Sequence, residues 1–272
     1  MKQGWLLLLF ALAVAGQPCT VFLVARRGEV FAAGNEDEGV ETKFSKHYVR
    51  FVPAKRETGA LGYVSFGYAY NPFNDESAMN EAGLFYDFTA QDKLDEPRDG
   101  KPKGKFNTIN EILTKCRTVA EAVEFLEGFD LVNMSSAELF LGDATGASAI
   151  VERHKTTHRP AEVDFQIATN FRTSLVPTVQ ISCERYNLCH FQLGLKNTVT
   201  PKSIAEILGG VKADSASKYR TWYSLVCDLK RRQVSLYRKG DFNKPFQFSL
   251  LNELEKGARK FDMDEFMGLA TR

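Results

Sequence analysis

Apolar and polar positions change their spacing along the chain, and the changes mark out its elements. Residues 20 to 25 and 29 to 33 are apolar and β-prone with almost no polar alternate. Arg26-Arg27-Gly28 between them is a short turn whose glycine suits the positive φ of a tight hairpin. The spacing predicts a hairpin that starts at Cys19 and ends in a Gly34-Asn35-Glu36-Asp37 corner. Residues 48 to 52, 61 to 70 and 84 to 88 read as aromatic-rich strands, with a polar turn at 54 to 59. The period then lengthens: Ile109, Ile112 and Leu113 follow the capping region Asn107-Thr108, and Ala120, Val123 and Leu126 follow Thr118, all at helical spacing. Strands return at 137 to 142 and 148 to 152, a second hairpin across Asp143-Ala144-Thr145-Gly146, and again at 165 to 169. Helices are predicted at 181 to 194 and 201 to 209, then antiparallel strands at 221 to 229, 233 to 237 and 246 to 250. A terminal amphipathic piece follows at 251 to 256.

Strand-rich blocks at both ends of a central helical pair, joined by short turns, predict an α+β fold with antiparallel sheets. Several strands, such as "YVSFGYAY", are apolar on both faces. Such strands need cover on both sides, so two sheets packed on each other with helices outside, an αββα sandwich, is the expected architecture. No Pro/Gly/Ser-rich linker divides the chain, and residues 19–272 are expected to form a single domain.

Residues 1–18 read differently. Met1-Lys2 supplies a positive start, residues 5 to 14 an apolar run, and Ala13-Val14-Ala15 a small-x-small cleavage pattern, together a secretory signal. The run is shorter than the roughly 20 apolar residues a membrane span needs, so export without a membrane span is expected. The composition, 44% hydrophobic and 25% charged, is that of an ordinary globular core. With 35 basic against 34 acidic residues there is no global field to attract nucleic acid or an anionic membrane. Five cysteines leave at least one thiol over after any pairing; Cys183 and Cys189 are near in sequence, Cys116 and Cys227 distant, and one or two bridges are open with no connectivity implied. Histidines 47, 154, 158 and 190 are too scattered for a metal site or a papain-like pair, and there is no phosphate loop or dinucleotide fingerprint, so no cofactor is expected.

Cys19 stands just past the cleavage pattern. If processing ends there, one residue carries both a thiol and a free α-amine, whose ordinary pKa values lie near 8.5 and 8. The amine, directly or through water, can take the thiol proton as attack begins and return it to a leaving amine, the activation known for N-terminal threonines. Asp37 is placed to orient that amine. A cut after Ala15 or Gly16 would leave a stub that Cys19 removes by attacking the Pro18 carbonyl. The competing reading of Cys19 is an ordinary half-cystine or a lipid-modified residue.

These residues resemble a family. "CTVFLVARRGEVFAAGNED" is similar to the N-terminal block of the choloylglycine hydrolase and penicillin V acylase family of N-terminal-nucleophile hydrolases. In order and spacing "RFVPAKRETGALGYVSFGY", "SAMNEAGLFYDF", "FQIATNF" and "YSLVCDLKRRQVSLYRKGDF" agree with it, covering most of residues 19 to 258. The resemblance implies hydrolysis of a linear amide through an S-acyl enzyme, with a small N-acyl substrate, no cofactor, and allowance for a homo-oligomer. It implies Cys19 as nucleophile, Asp37 as the carboxylate near its amine, and Asn170 as a side-chain donor to the tetrahedral oxyanion. Asn80, in the Met79-Asn80-Glu81-Ala82-Gly83-Leu84 segment, is expected to shape a turn. A family arginine aligns with Arg220, and Lys218 fits its spacing as well. Two departures stand out: the arginine many members carry between the glycine and asparagine of the first corner is missing from Ala33-Gly34-Asn35, and Thr89 and Ala90 offer no side-chain amide for the second oxyanion contact. An acyltransferase using the same nucleophile, and a secreted binding protein without catalysis, are the alternative functions.

Overall fold

Two strands that are apolar on both faces become the middle of a sheet. A computed structural model describes residues 19–71, 75–105, 107–177, 180–213 and 218–269, so the signal-like segment 1–18 lies outside the described residues. Strands β1 (Thr20–Arg26) and β2 (Glu29–Gly39) form the first hairpin. Arg27 (φ 51°) and Gly28 (φ 84°) make its turn, and the left-handed backbone there explains the glycine.

The other strands are β3 (His47–Val52), β4 (Tyr63–Tyr68), β5 (Ser77–Asn80), β6 (Phe85–Ala90), β7 (Ala137–Gly142), β8 (Ser148–Val151), β9 (Thr156–His158), β10 (Phe165–Ala168), β11 (Tyr219–Asp228), β12 (Gln233–Arg238), β13 (Asp241–Ser249) and β14 (Arg259–Asp262). Helices are α1 (Thr108–Lys115), α2 (Val119–Glu127), α3 (Glu184–Leu195), α4 (Pro201–Gly210), α5 (Leu250–Glu255) and α6 (Met263–Phe266). One sheet has the order β10-β1-β2-β11-β12-β13 and the other β14-β3-β4-β5-β6-β7-β8-β9.

Alternation along each strand divides the core. In the first sheet Val21, Leu23 and Ala32 point at the second sheet and meet Val64, Phe66, Met79 and Phe140. Phe22, Val24 and Phe31 point the other way, under Leu193 of α3 and Ile204 and Leu208 of α4. Beyond the second sheet, Ala78 and Tyr86 pack on Ile112 and Leu113 of α1 and Val123 and Leu126 of α2. The layers are therefore helix, sheet, sheet, helix, as the two-faced apolar strands require.

Differences from expectation have local causes. Residues 34–37 do not turn a corner: β2 runs straight through them because β11 pairs along its other edge, with Asp37 beside Thr221 and Glu38 beside Arg220. Strands β5, β9 and β14 are short and have little apolar pattern of their own, so pairing with a neighbour is what makes them strands. Thr118 caps α2 by accepting the Glu121 N–H, whereas the Asn107 side chain caps nothing. All five cysteines are free thiols rather than bridged. Cys227 sits between the sheets, Cys116 under α1 and α2, and Cys189 under α3 and α4, so three of them are separated by whole layers. Among the described residues no helix is long and apolar enough to cross a membrane.

Candidate active site

Two antiparallel registers converge on Cys19. Between β1 and β2, Thr20 lies beside Asn35, and one more step brings Cys19 to Glu36. Between β1 and β10, Val21 lies beside Ala168, and two more steps bring Cys19 to Asn170. Pairing alone thus assembles residues scattered over the sequence at one end of the first sheet.

Cys19 is buried but lines a cavity of about 370 Å³, shared with Glu36, Glu76, Phe88, Ala90, Ile109 and Met134 among others. That volume is in the range of small-molecule sites. Its free thiol donates to the backbone carbonyl of Asp37 at 3.5 Å and lies 4.0 Å from Oε1 of Glu36, which also accepts from the Tyr68 hydroxyl at 3.0 Å. Burial, then the charges of Glu36 and Asp37, push the Cys19 thiol well above its ordinary range.

Asp37 is fully buried. Burial pushes it up to about 7, against the opposing pull of the Thr221 hydroxyl and the charge of Arg185. Thr221 donates to Oδ1 and itself accepts the Ala213 N–H at 2.9 Å. Oδ2 is buried with no hydrogen-bond partner among the described residues, which leaves an acceptor waiting for a donor.

Asn170 follows β10. Its Nδ2 donates to the Ala90 carbonyl at 2.8 Å and its Oδ1 accepts from Arg185 at 2.9 Å. One Nδ2 hydrogen is thus committed to Ala90, and the second has no acceptor among the described residues. Gln91 holds the preceding carbonyl of Thr169 at 2.8 Å, which fixes the loop that carries Asn170.

Arg185, in the first turn of α3, donates to the Cys19 carbonyl, to the Thr20 hydroxyl at 2.8 Å and to Asn170. It is the arginine the structure brings to Cys19. Arg220 is elsewhere: its guanidinium stacks over Trp222 at 5.4 Å, and it lines a separate groove with Lys212 and Lys239. Lys218 is exposed over the Tyr219 ring. Cys19, Asp37 and Asn170 are brought together; Arg220 and Lys218 are not.

Asn80 shapes a turn. Its Oδ1 accepts the N–H groups of Ala82 and Leu84, both at 3.0 Å, and its Nδ2 donates to the carbonyls of Leu113 and Cys116.

Sequence reasoning missed Arg185, Glu36, Glu76 and Asp87. Glu36 was within reach, since strand alternation puts it on the face opposite Asp37. Asp87 of β6 occupies the space a side chain at position 34 would need: a Cβ on Gly34 would lie 2.4 Å from its carboxylate. The corner that lacks an arginine is thus faced by an acid from the other sheet. Arg185, Glu76 and Asp87 carried no local signal. Among the described residues, no three His, Cys, Asp or Glu side chains converge as metal ligands. A wider cleft of about 680 Å³ beside Arg26 and Arg231 contains no thiol.

Comparison with known proteins adds independent support for the fold. A family model described as acyl-coenzyme A:6-aminopenicillanic acid acyl-transferase matches residues 24–236. A variant of conjugated bile acid hydrolase from Clostridium perfringens superposes with a TM-score of 0.69 at 14% identity, covering 93% of this chain and 99% of that one. Penicillin V acylase from Agrobacterium tumefaciens superposes with a TM-score of 0.67 at 20% identity, covering 90% and 91%. No curated protein matches the sequence. The αββα arrangement is shared with both solved structures.

Proposed function

Because this chain belongs to the acyl-coenzyme A:6-aminopenicillanic acid acyl-transferase family, we propose that it is an amidohydrolase that cleaves the C–N bond of linear N-acyl amides with Cys19 as its N-terminal nucleophile. The observation that carries this reading is the free Cys19 thiol lining a cavity beside the buried, unpartnered Oδ2 of Asp37. An α-ammonium released at Cys19 is the donor that oxygen lacks.

In the reading, export removes the leader and Cys19 clears the remaining stub. The freed amine supplies both a base and the positive charge that a thiol pressed by Glu36 and Asp37 needs. The amine takes the thiol proton as sulfur attacks the amide carbon. Asn170 Nδ2 and a backbone N–H hold the tetrahedral oxyanion, an interaction worth roughly 10² to 10³ in rate per donor. Collapse breaks the C–N bond, and the proton leaves with the departing amine. Water, deprotonated by the same α-amine, then releases the acid from sulfur. Arg185 holds the Cys19 carbonyl and the Asn170 amide, so nucleophile and oxyanion donor share one support.

Transfer of the S-acyl group to an amine is the second reading, favoured by the acyl-transferase description of the family model. Partitioning between water and added amine separates the two.

The test has two parts. Intact mass of the secreted protein should give a chain that begins at Cys19, and iodoacetamide should label that residue. A panel of N-acyl amides should be hydrolysed by the wild type and not by Cys19→Ala. Hydrolysis that persists in Cys19→Ala sinks the assignment.

A further inference from the structure

The cavity in front of Cys19 is lined by apolar side chains, Phe88, Ile109 and Met134, and by three carboxylates, Glu36, Asp75 and Glu76. No lysine or arginine is among its described lining residues. Asp75 is neutralised from behind by an ion pair with Arg50 and by donation from the Tyr48 hydroxyl and Asn110. The other two are not. Glu36 is 8% exposed, and both its polar contacts, the Tyr68 hydroxyl and the Cys19 thiol, fall on Oε1, so Oε2 has no partner among the described residues. The Glu76 carboxylate has no ion pair or hydrogen bond to any described residue. Asp87 adds a third acid behind them, against Gly34.

Adjacent carboxylates without a counter-charge are costly to keep ionised and hold protons instead; because these border an open cavity, a cation that enters can displace those protons and balance them. The α-ammonium of a processed Cys19 supplies one positive charge, and Asp37 takes it. These acids do not converge as metal ligands, whereas an alkylammonium, with three donors on a flexible stem, suits separated carboxylates.

We propose that the cavity selects linear amides whose amine portion carries a second, protonated amine, in chemical class N-acyl diamines. Glu36 and Glu76 hold that ammonium, and the acyl chain lies on Phe88, Ile109 and Met134. The inference rests on Cys19 as the nucleophile of an amide hydrolase. Hydrolysis breaks the amide C–N bond, places the hydroxyl of water on the acyl carbon and its hydrogen on nitrogen, and releases a carboxylic acid and a diamine.

Three matched probes test it on the processed wild-type enzyme: the N-decanoyl amides of diaminobutane, pentylamine and aminovalerate, which end in a cation, a methyl group and an anion. Expected is a kcat/KM for the cationic probe at least about tenfold above the neutral one, with the anionic probe lowest. Added salt should narrow the gap, and Glu76→Gln should pull the cation-to-neutral ratio toward one, mainly through KM. Equal or better hydrolysis of the neutral or anionic probe, or a ratio that survives Glu76→Gln, overturns the inference and leaves the hydrolase reading intact. Matched decanesulfonamides of diaminobutane and pentylamine, which cannot be hydrolysed, are titrated into the wild type by calorimetry. Tighter binding of the cationic one by about the same factor is expected; equal affinity overturns the inference whatever the activity. If no probe turns over and iodoacetamide leaves Cys19 untouched, it is the nucleophile that fails.

Discussion

Arg185 touches three acceptors from the first turn of α3: the Cys19 carbonyl, the Thr20 hydroxyl and Asn170 Oδ1. A guanidinium can do this because its donors form a rigid fork, which an ammonium lacks. Arg185→Ala is expected to lower kcat/KM by about a hundredfold, chiefly in kcat, because it loosens Asn170, the proposed oxyanion donor, and Arg185→Lys should recover only part. The charge of Arg185 also draws the Asp37 carboxyl down against its burial. Without it Asp37 stays protonated to higher pH, so the acid limb of kcat/KM against pH should move upward. An unmoved limb would mean that Arg185 acts by packing alone. Nothing in Ser182-Cys183-Glu184-Arg185 marks this role in the sequence, since its contacts lie on β1 and beyond β10.

Strand β2 and the turn between β5 and β6 show how elements place these groups. The apolar half of β2 was legible because residues buried on both faces leave an unbroken run. Its polar half, Gly34 to Gly39, looked like a corner because glycine, asparagine and acids favour turns; pairing with β11 along its whole length, and with β1 as far as Asn35, overrides that preference. The Asn80 turn was legible and behaves as its composition implies. Its amide makes four hydrogen bonds in a fully buried site. Asn80→Ala is therefore expected to destabilise by about 2–4 kcal/mol in urea unfolding. Gly83→Ala should cost at least as much, since its φ is +89° and a Cβ there would meet the Leu229 carbonyl at 2.3 Å. A loss under about 0.5 kcal/mol for either would contradict these accounts.

Across the whole molecule, buried acids set the dependence of stability on pH. Burial raises Glu36 and Asp87 well above the carboxylate range, Asp37 and Glu76 to about 7, and Glu138 to about 9. A raised folded-state pKa means that the native chain holds protons the unfolded chain has lost. That stability is fully present below about pH 4 and is lost as pH rises through the folded values. His47, buried and lowered, works in the opposite direction below about pH 6.5, but it is one group against five. The unprocessed chain is expected to lose about 5 °C or more of Tm between about pH 5 and about pH 8. Asp37→Asn should flatten that slope. A Tm that rises over the interval would show these acids to be compensated in the native state.

The layers were legible in the sequence, and Cys19 stood out there as the candidate nucleophile. Two-faced apolar strands demand a sheet-on-sheet core, and a cysteine beyond a cleavage pattern, heading a strand, is a candidate for nucleophilic chemistry as well as for a bridge or a lipid. Cys19, Asp37 and Asn170 were legible because each sits in or beside a recognisable strand. The charge around them came from the three-dimensional packing instead. Arg185 from a helix, Asp87 from the facing sheet, Glu76 from the position just before strand β5, and the exclusion of Arg220 depend on contacts between residues far apart in the chain. Electrostatic environment is a property of distance in space, and local pattern carries no record of it.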